Sequence, residues 1–155
     1  LTNPTSKPNN QQKTRYTPTI AEKWINFQLG VKGLSPAPEC EAAILGVLSV
    51  TKAAYGIYAH TILAQRAGFT TAQVESMLAG SCPEDIAARE AACWALAVKL
   101  AQTRGPLDEE SFKEARDVLG VEGVAAAVHQ AAAFMYASMM LNAGDVPVPL
   151  PAGVK

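Results

Sequence analysis

The sequence predicts an all-α domain of about six to seven helices. Two observations carry this: apolar residues recur at helical spacing, and the stretches holding them begin at capping residues and end at glycine or proline. Composition adds what fills the core. Of 155 residues, 49% are hydrophobic but only 6% aromatic, so the core rests on Ala, Val, Leu and Met. That length suits one domain rather than two.

Residues 1–16 are polar, rich in Asn, Gln, Thr, Lys and Pro, and are expected to form an extended or disordered arm. The domain is placed at 17–147 and a tail at 148–155. Thr17-Pro18 reads as an N-cap and first helical residue of a short amphipathic helix carrying Ile20, Trp24 and Phe27, stopped at Leu29-Gly30. A loop with Gly33, Pro36 and Pro38 leads into a long helical region from Glu39 to Ala67, ended by Gly68. Thr70 and Gln73 form a capping box for a helix through Leu78. Ser81, Pro83 and Glu84 repeat that logic and open a helix to Arg104, closed by Gly105-Pro106. Asp108 starts a helix that stops near Gly120, and the last helix spans Glu122 to Asn142 before Gly144. The segments AQRAGFTTAQV around Gly68 and ARDVLGVEGVAAAV around Gly120 share a helix, glycine, helix pattern, a faint internal echo.

Charge narrows the partners. Lys+Arg is 13 against Asp+Glu at 14, so no basic field draws nucleic acid or an anionic membrane surface, and small, weakly charged ligands fit better. The apolar run from Val124 to Leu141 carries His129 and Gln130 and is rich in alanine, so it reads as a buried core or interface helix rather than a membrane span. Cys40, Cys82 and Cys93 are odd in number and widely spaced, which argues against a disulfide framework or zinc site and for a reducing, intracellular, cytoplasmic setting. Cys93 beside Trp94 reads as an inert buried thiol, and Cys82, near an expected helix start, as the more reactive one. The chain opens at Leu1 rather than Met, which leaves an upstream targeting segment open. No phosphate-binding loop, dinucleotide fingerprint, HExxH or metal-ligand spacing is present, so no cofactor and no metal is expected.

Glu41 is followed by eleven residues and Ala53, then by two and Gly56, then by three and His60. This pattern, E-x11-C-x2-C-x3-H with alanine and glycine at the cysteine positions, resembles the alkyl hydroperoxidase D and carboxymuconolactone decarboxylase superfamily. The resemblance covers most of Ile20 to Pro147, including AHTILAQRAGFTTAQVESML and REAACWALAVKLAQ. It implies a helical bundle of the alkyl hydroperoxidase D type, assembled as a trimer or hexamer. In the redox-active members the two cysteines form a peroxidatic and resolving pair, while glutamate and histidine move protons. Neither methyl nor hydrogen replaces a thiolate, so that chemistry is expected to be absent with Ala53 and Gly56 in place.

What the resemblance implies instead is the cofactor-free branch: a decarboxylase, lyase or isomerase acting on a small lactone, aromatic or polyketide-type carboxylic acid. His60 would transfer the proton, Glu41 would orient or recharge it, and Tyr55 or Tyr58 would hold an oxyanion. Two other classes stay open: a degenerate peroxidase using Cys82 or Cys40, and a non-catalytic oligomeric binding module. Helical geometry places 53, 56 and 60 on one face, so Ala53 and Gly56 are expected to open space before His60. Glu41 and His60 would be roughly 28 Å apart on one straight helix, which requires a break near Ser49 to Ala54 or a meeting between subunits.

Each residue also has a plainer reading. Glu41 suits a first-turn carboxylate favoured by the helix dipole, and a lone His60 suits a hydrogen-bonded structural role. Tyr55 and Tyr58 point away from the His60 face in a regular helix, which favours packing. His129, followed at helical spacing by Ala133, Tyr136 and Met140, marks a face for the pocket or a subunit contact, with structure favoured. Trp24, Phe27 and Trp94 read as core or pocket wall.

Overall fold

A computed structural model describes residues 17–103 and 105–149, so the expected arm at 1–16 and most of the tail lie outside the described residues. Six helices and no strands are found among them. They are α1 (Pro18–Lys32), α2 (Ala37–Thr51), α3 (Ala54–Arg66), α4 (Thr71–Ala79), α5 (Ala88–Gln102) and α6 (Glu109–Gly144).

α2 is the centre of the bundle. Every residue from Glu39 to Ser49 is buried, and α3, α4, α5 and α6 all pack on it. The helix starts at Ala37 with Pro38 inside its first turn, earlier than expected from the prolines, because that turn needs no backbone N–H from them. Gly46 sets the approach of α5. A methyl group at Gly46 would sit 2.7 Å from the Trp94 carbonyl oxygen, so only glycine lets the two backbones come this close.

α1 begins at Thr17-Pro18 as expected but passes through Gly30 and ends at Lys32. A mid-helix glycine costs only about 1 kcal/mol against alanine, and continuing the helix brings Val31, its one buried residue, to the core. The α2–α3 corner falls in the stretch where a break was required. Lys52 takes the left-handed conformation (φ 51°) and Ala53 is extended. α6 pins the corner: Thr51 Oγ1 donates to Ser138 Oγ at 3.2 Å, and Asn142 Nδ2 donates to the Thr51 carbonyl at 2.8 Å.

α3 closes at Ala67 with Gly68 at φ 114°, and Thr70 and Gln73 form the expected reciprocal cap of α4. The opening of α5 differs from expectation. Ser81 is taken up by α4, its N–H donating to the Ser76 carbonyl and its own carbonyl accepting from Ser76 Oγ, both at 3.0 Å. α5 therefore starts only at Ala88, where the Glu90 carboxylate accepts from the Ala87 N–H at 3.0 Å. It ends at Gln102; Arg104 lies outside the described residues.

The last two expected helices run together as α6, with a single-residue break at Gly120 (φ 74°, ψ 174°) in place of a connecting segment. Arg89 bridges that break. Its Nη1 donates to the Val118 and Leu119 carbonyls at 3.4 and 3.2 Å, while Nε and Nη2 donate to the buried Glu39 carboxylate at 2.7 and 3.2 Å. α6 is long and apolar enough to cross a membrane by length and composition, and 44% of that apolar stretch is buried, packed on α2 and α5 among others.

Asp108 caps α6, accepting from the Ser111 N–H and hydroxyl at 2.9 Å each and from Lys99 Nζ at 3.1 Å. These bonds, led by the Ser111 N–H, hold its carboxyl down at about 2 against an ordinary 3.8. A depressed carboxylate contributes stability that is complete above its unfolded value and lost as pH falls through its folded one. Asp108→Asn should therefore show a shallower loss of stability between about pH 4 and 2 than the unaltered chain, measured by acid unfolding.

Candidate functional site

The α2–α3 corner turns α3 back along α2, and this brings together two residues 19 positions apart in sequence. His60 Nδ1 lies 2.7 Å from Glu41 Oε2. Both side chains are largely enclosed, at 12% and 8% exposure. In the neutral ring this bond assigns the proton to Nδ1, because the carboxylate accepts, and so leaves the Nε2 lone pair as the basic nitrogen. A second contact on the ring is aromatic: His60 and Phe134 meet edge to face with centroids 4.6 Å apart.

His60 lines a cavity of about 410 Å³. α3 supplies one side through Tyr55, Gly56 and Ala59, and α6 a second through Phe134, Tyr136, Ala137, Met140 and Leu141. α1 supplies the third through Ile20, Ala21 and Trp24. The Trp24 ring rests on Tyr136 at 4.3 Å, which ties α1 to the wall opposite. A general base facing a mostly apolar chamber, with a buried carboxylate behind it, can take a proton from a bound carbon acid and hold the resulting imidazolium.

The other expected site residues divide. Tyr55 does line the cavity, together with Ala59 one turn further on, so the lining takes in the neighbouring face of α3 as well as that of Gly56 and His60. Tyr58 is 40% exposed and outside the lining, with its ring 6.3 Å from that of Tyr55. His129 is exposed and outside the chamber, although Tyr136 and Met140 from its expected face are part of it. Ala53 is fully buried in the core and outside the chamber lining, and Gly56 opens less space than expected. A methyl group at Gly56 would stand 2.8 Å from Leu48 Cδ2 and 3.4 Å from Leu141 Cδ1, so apolar neighbours have filled the room the sequence pattern suggested. Phe134 and Leu141 were missed by sequence reasoning, because an alanine-rich helix with apolar residues on several faces does not announce which one meets His60.

Among the described residues no group of three or more His, Cys, Asp and Glu is arranged to hold a metal ion. The cysteines are all free and lie apart from the chamber lining. Burial pushes the Cys93 thiol up to about 12 and raises Cys40, which also faces the negative charges of Glu41 and Glu39. Cys82 is exposed, but α5 starts later than expected, so no helix N-terminus lowers its thiol, and desolvation raises it. Native protein should therefore react with a thiol reagent at pH 8 through Cys82 only, and the other two should react after unfolding. The same protein should not consume an alkyl hydroperoxide with a thiol reductant. Consumption that disappears on Cys82→Ser would restore the redox reading.

Compared with models of known families, curated proteins and solved structures, the chain matches none.

Proposed function

We propose that this chain is a cofactor-independent acid–base enzyme of the carboxymuconolactone decarboxylase kind. It moves a proton at a carbon next to a carbonyl in a small lactone, aromatic or polyketide-type substrate, with isomerisation or loss of carbon dioxide as the outcome. The observation that carries the reading is the 2.7 Å Glu41–His60 pair at the edge of a largely apolar chamber. His60 Nε2 takes the proton, Glu41 fixes the ring and its tautomer, and the Tyr55 hydroxyl is the candidate donor to the developing oxyanion.

The test needs no knowledge of the natural substrate. The protein is incubated in D2O with 2-tetralone, α-acetylbutyrolactone and benzoylacetate, and deuterium uptake or carbon dioxide release is followed by NMR. Catalysis above the solvent rate that is lost in His60→Ala supports the proposal. Solvent-rate behaviour on all three probes by folded protein sinks it.

We propose in addition that the chain self-associates, as a trimer or hexamer. Ile25, Leu29, Val121 and Met139 are large apolar side chains at 57%, 65%, 67% and 67% exposure, which suits a buried contact better than water. Light scattering at micromolar concentration should give a mass well above the 16.3 kDa of one chain. A monomer would contradict it.

A further inference from the structure

We infer that the substrate of the His60 chamber is an uncharged, flat, ring-bearing carbonyl compound, and that the reaction is enolisation and reprotonation rather than loss of carbon dioxide. This rests on the acid–base reading and narrows it. The starting point is charge. Among the described residues no lysine or arginine lines the chamber, and the titratable cation-former in the lining is His60, whose Nδ1 is already bound to Glu41. Lys23 on α1 and Lys52 at the corner before α3 are exposed and lie outside it.

A carboxylate entering this chamber gives up its water and finds no free cation among the described residues. The imidazolium it would need is already paired with Glu41, so it meets the field of a second carboxylate at short range. Removing an ion from water without a partner is strongly unfavourable. A neutral substrate raises no such conflict. As His60 Nε2 takes the proton from the carbon next to the carbonyl, the C–H electron pair forms the carbon–carbon double bond of the enolate and the carbonyl pair moves to oxygen. One positive and one negative charge appear together, so the total charge of the chamber is unchanged through the step. Where a β,γ carbon–carbon double bond extends the enolate into a dienolate, the imidazolium returns the proton at the γ-carbon, giving the conjugated isomer and restoring neutral His60, with no oxidant, reductant or leaving group.

Shape points the same way. Trp24, Tyr55, Phe134 and Tyr136 put aromatic faces or edges from three helices around one space of about 410 Å³. Such walls suit a flat ring system, and the volume falls in the range of about 300–1,000 Å³ common for small-ligand sites.

The test compares two ligands of one shape, 2-naphthamide and 2-naphthoate, titrated against the full chain by ligand-observed NMR at pH 8. The amide should bind at least about tenfold more tightly than the carboxylate. Trp24→Ala, with helix content checked by circular dichroism, should weaken the amide by at least about fivefold. Equal or tighter binding of 2-naphthoate overturns the inference, as does failure of the amide to bind below about 5 mM or indifference to Trp24→Ala. The deuterium experiment separates the two levels. A preference for the amide without catalysis on any probe removes the acid–base reading and leaves the ligand class standing, whereas catalysis confined to carbon dioxide release from benzoylacetate removes this inference and leaves the acid–base reading.

Discussion

His60→Ala is expected to lower the rate of proton transfer by roughly 10²–10⁴-fold, the usual contribution of a general acid–base group. The loss should fall on kcat, because the chamber walls that bind the ligand come from α1, α3 and α6 and do not depend on the imidazole. Glu41→Gln should cost less. An amide oxygen can still accept from Nδ1–H and keep the ring in place, while the negative charge that steadies the imidazolium is gone. Since His60 packs on Phe134, a folded His60→Gln variant serves as the second probe of the same position. If folded His60→Ala or His60→Gln keeps full activity, the assignment of His60 is wrong.

Gly46→Val is expected to destabilise the fold by about 3 kcal/mol, among the larger effects of overpacking. The first added carbon would lie 2.7 Å from the Trp94 carbonyl oxygen and 3.0 Å from Ala97 Cβ, so the backbone of α5 itself stands in the way. Relief requires α2 and α5 to separate along the most extensive helix contact among the described residues. Gly56→Ala is a useful contrast. Its closest neighbour, Leu48 Cδ2 at 2.8 Å, is the end of a side chain that can rotate, so a cost nearer 1 kcal/mol is expected. Urea unfolding of the two variants checks the difference, and equal midpoints would contradict it.

Much of this architecture was legible because its signals are local. The Thr70/Gln73 cap, the Asp108 cap and the positive-φ positions at Gly68 and Gly120 each follow from one or two residues whose chemistry fits a helix end. The break before α3 was legible for a different reason, that Glu41 and His60 could not otherwise meet within one chain. What failed was contextual. Ser81 had the right chemistry to start a helix, but it also had a better use in closing α4, and nothing in its neighbours shows that competition. Gly30 resembles a stop, yet the burial of Val31 carries the helix past it. At the site, Glu41, Gly56 and His60 came from spacing. The walls did not, since which faces of α1 and α6 turn toward His60 depends on how whole helices pack.

The left-handed residue at Lys52 also fixes the rotational phase of α3. His60 lies eight residues beyond that corner, so its direction depends on how many residues the chain spends in turning. Removing or adding one residue between Ser49 and Ala54 would swing the whole of α3 by about 100° about its own axis, and the imidazole would leave Glu41 altogether. Exchanging one side chain for another there changes much less. Substitution at the corner therefore acts through the local contacts of Thr51 and the buried Ala53, whereas insertion or deletion re-aims His60 whatever the residues are, a distinction set by counting rather than by chemistry.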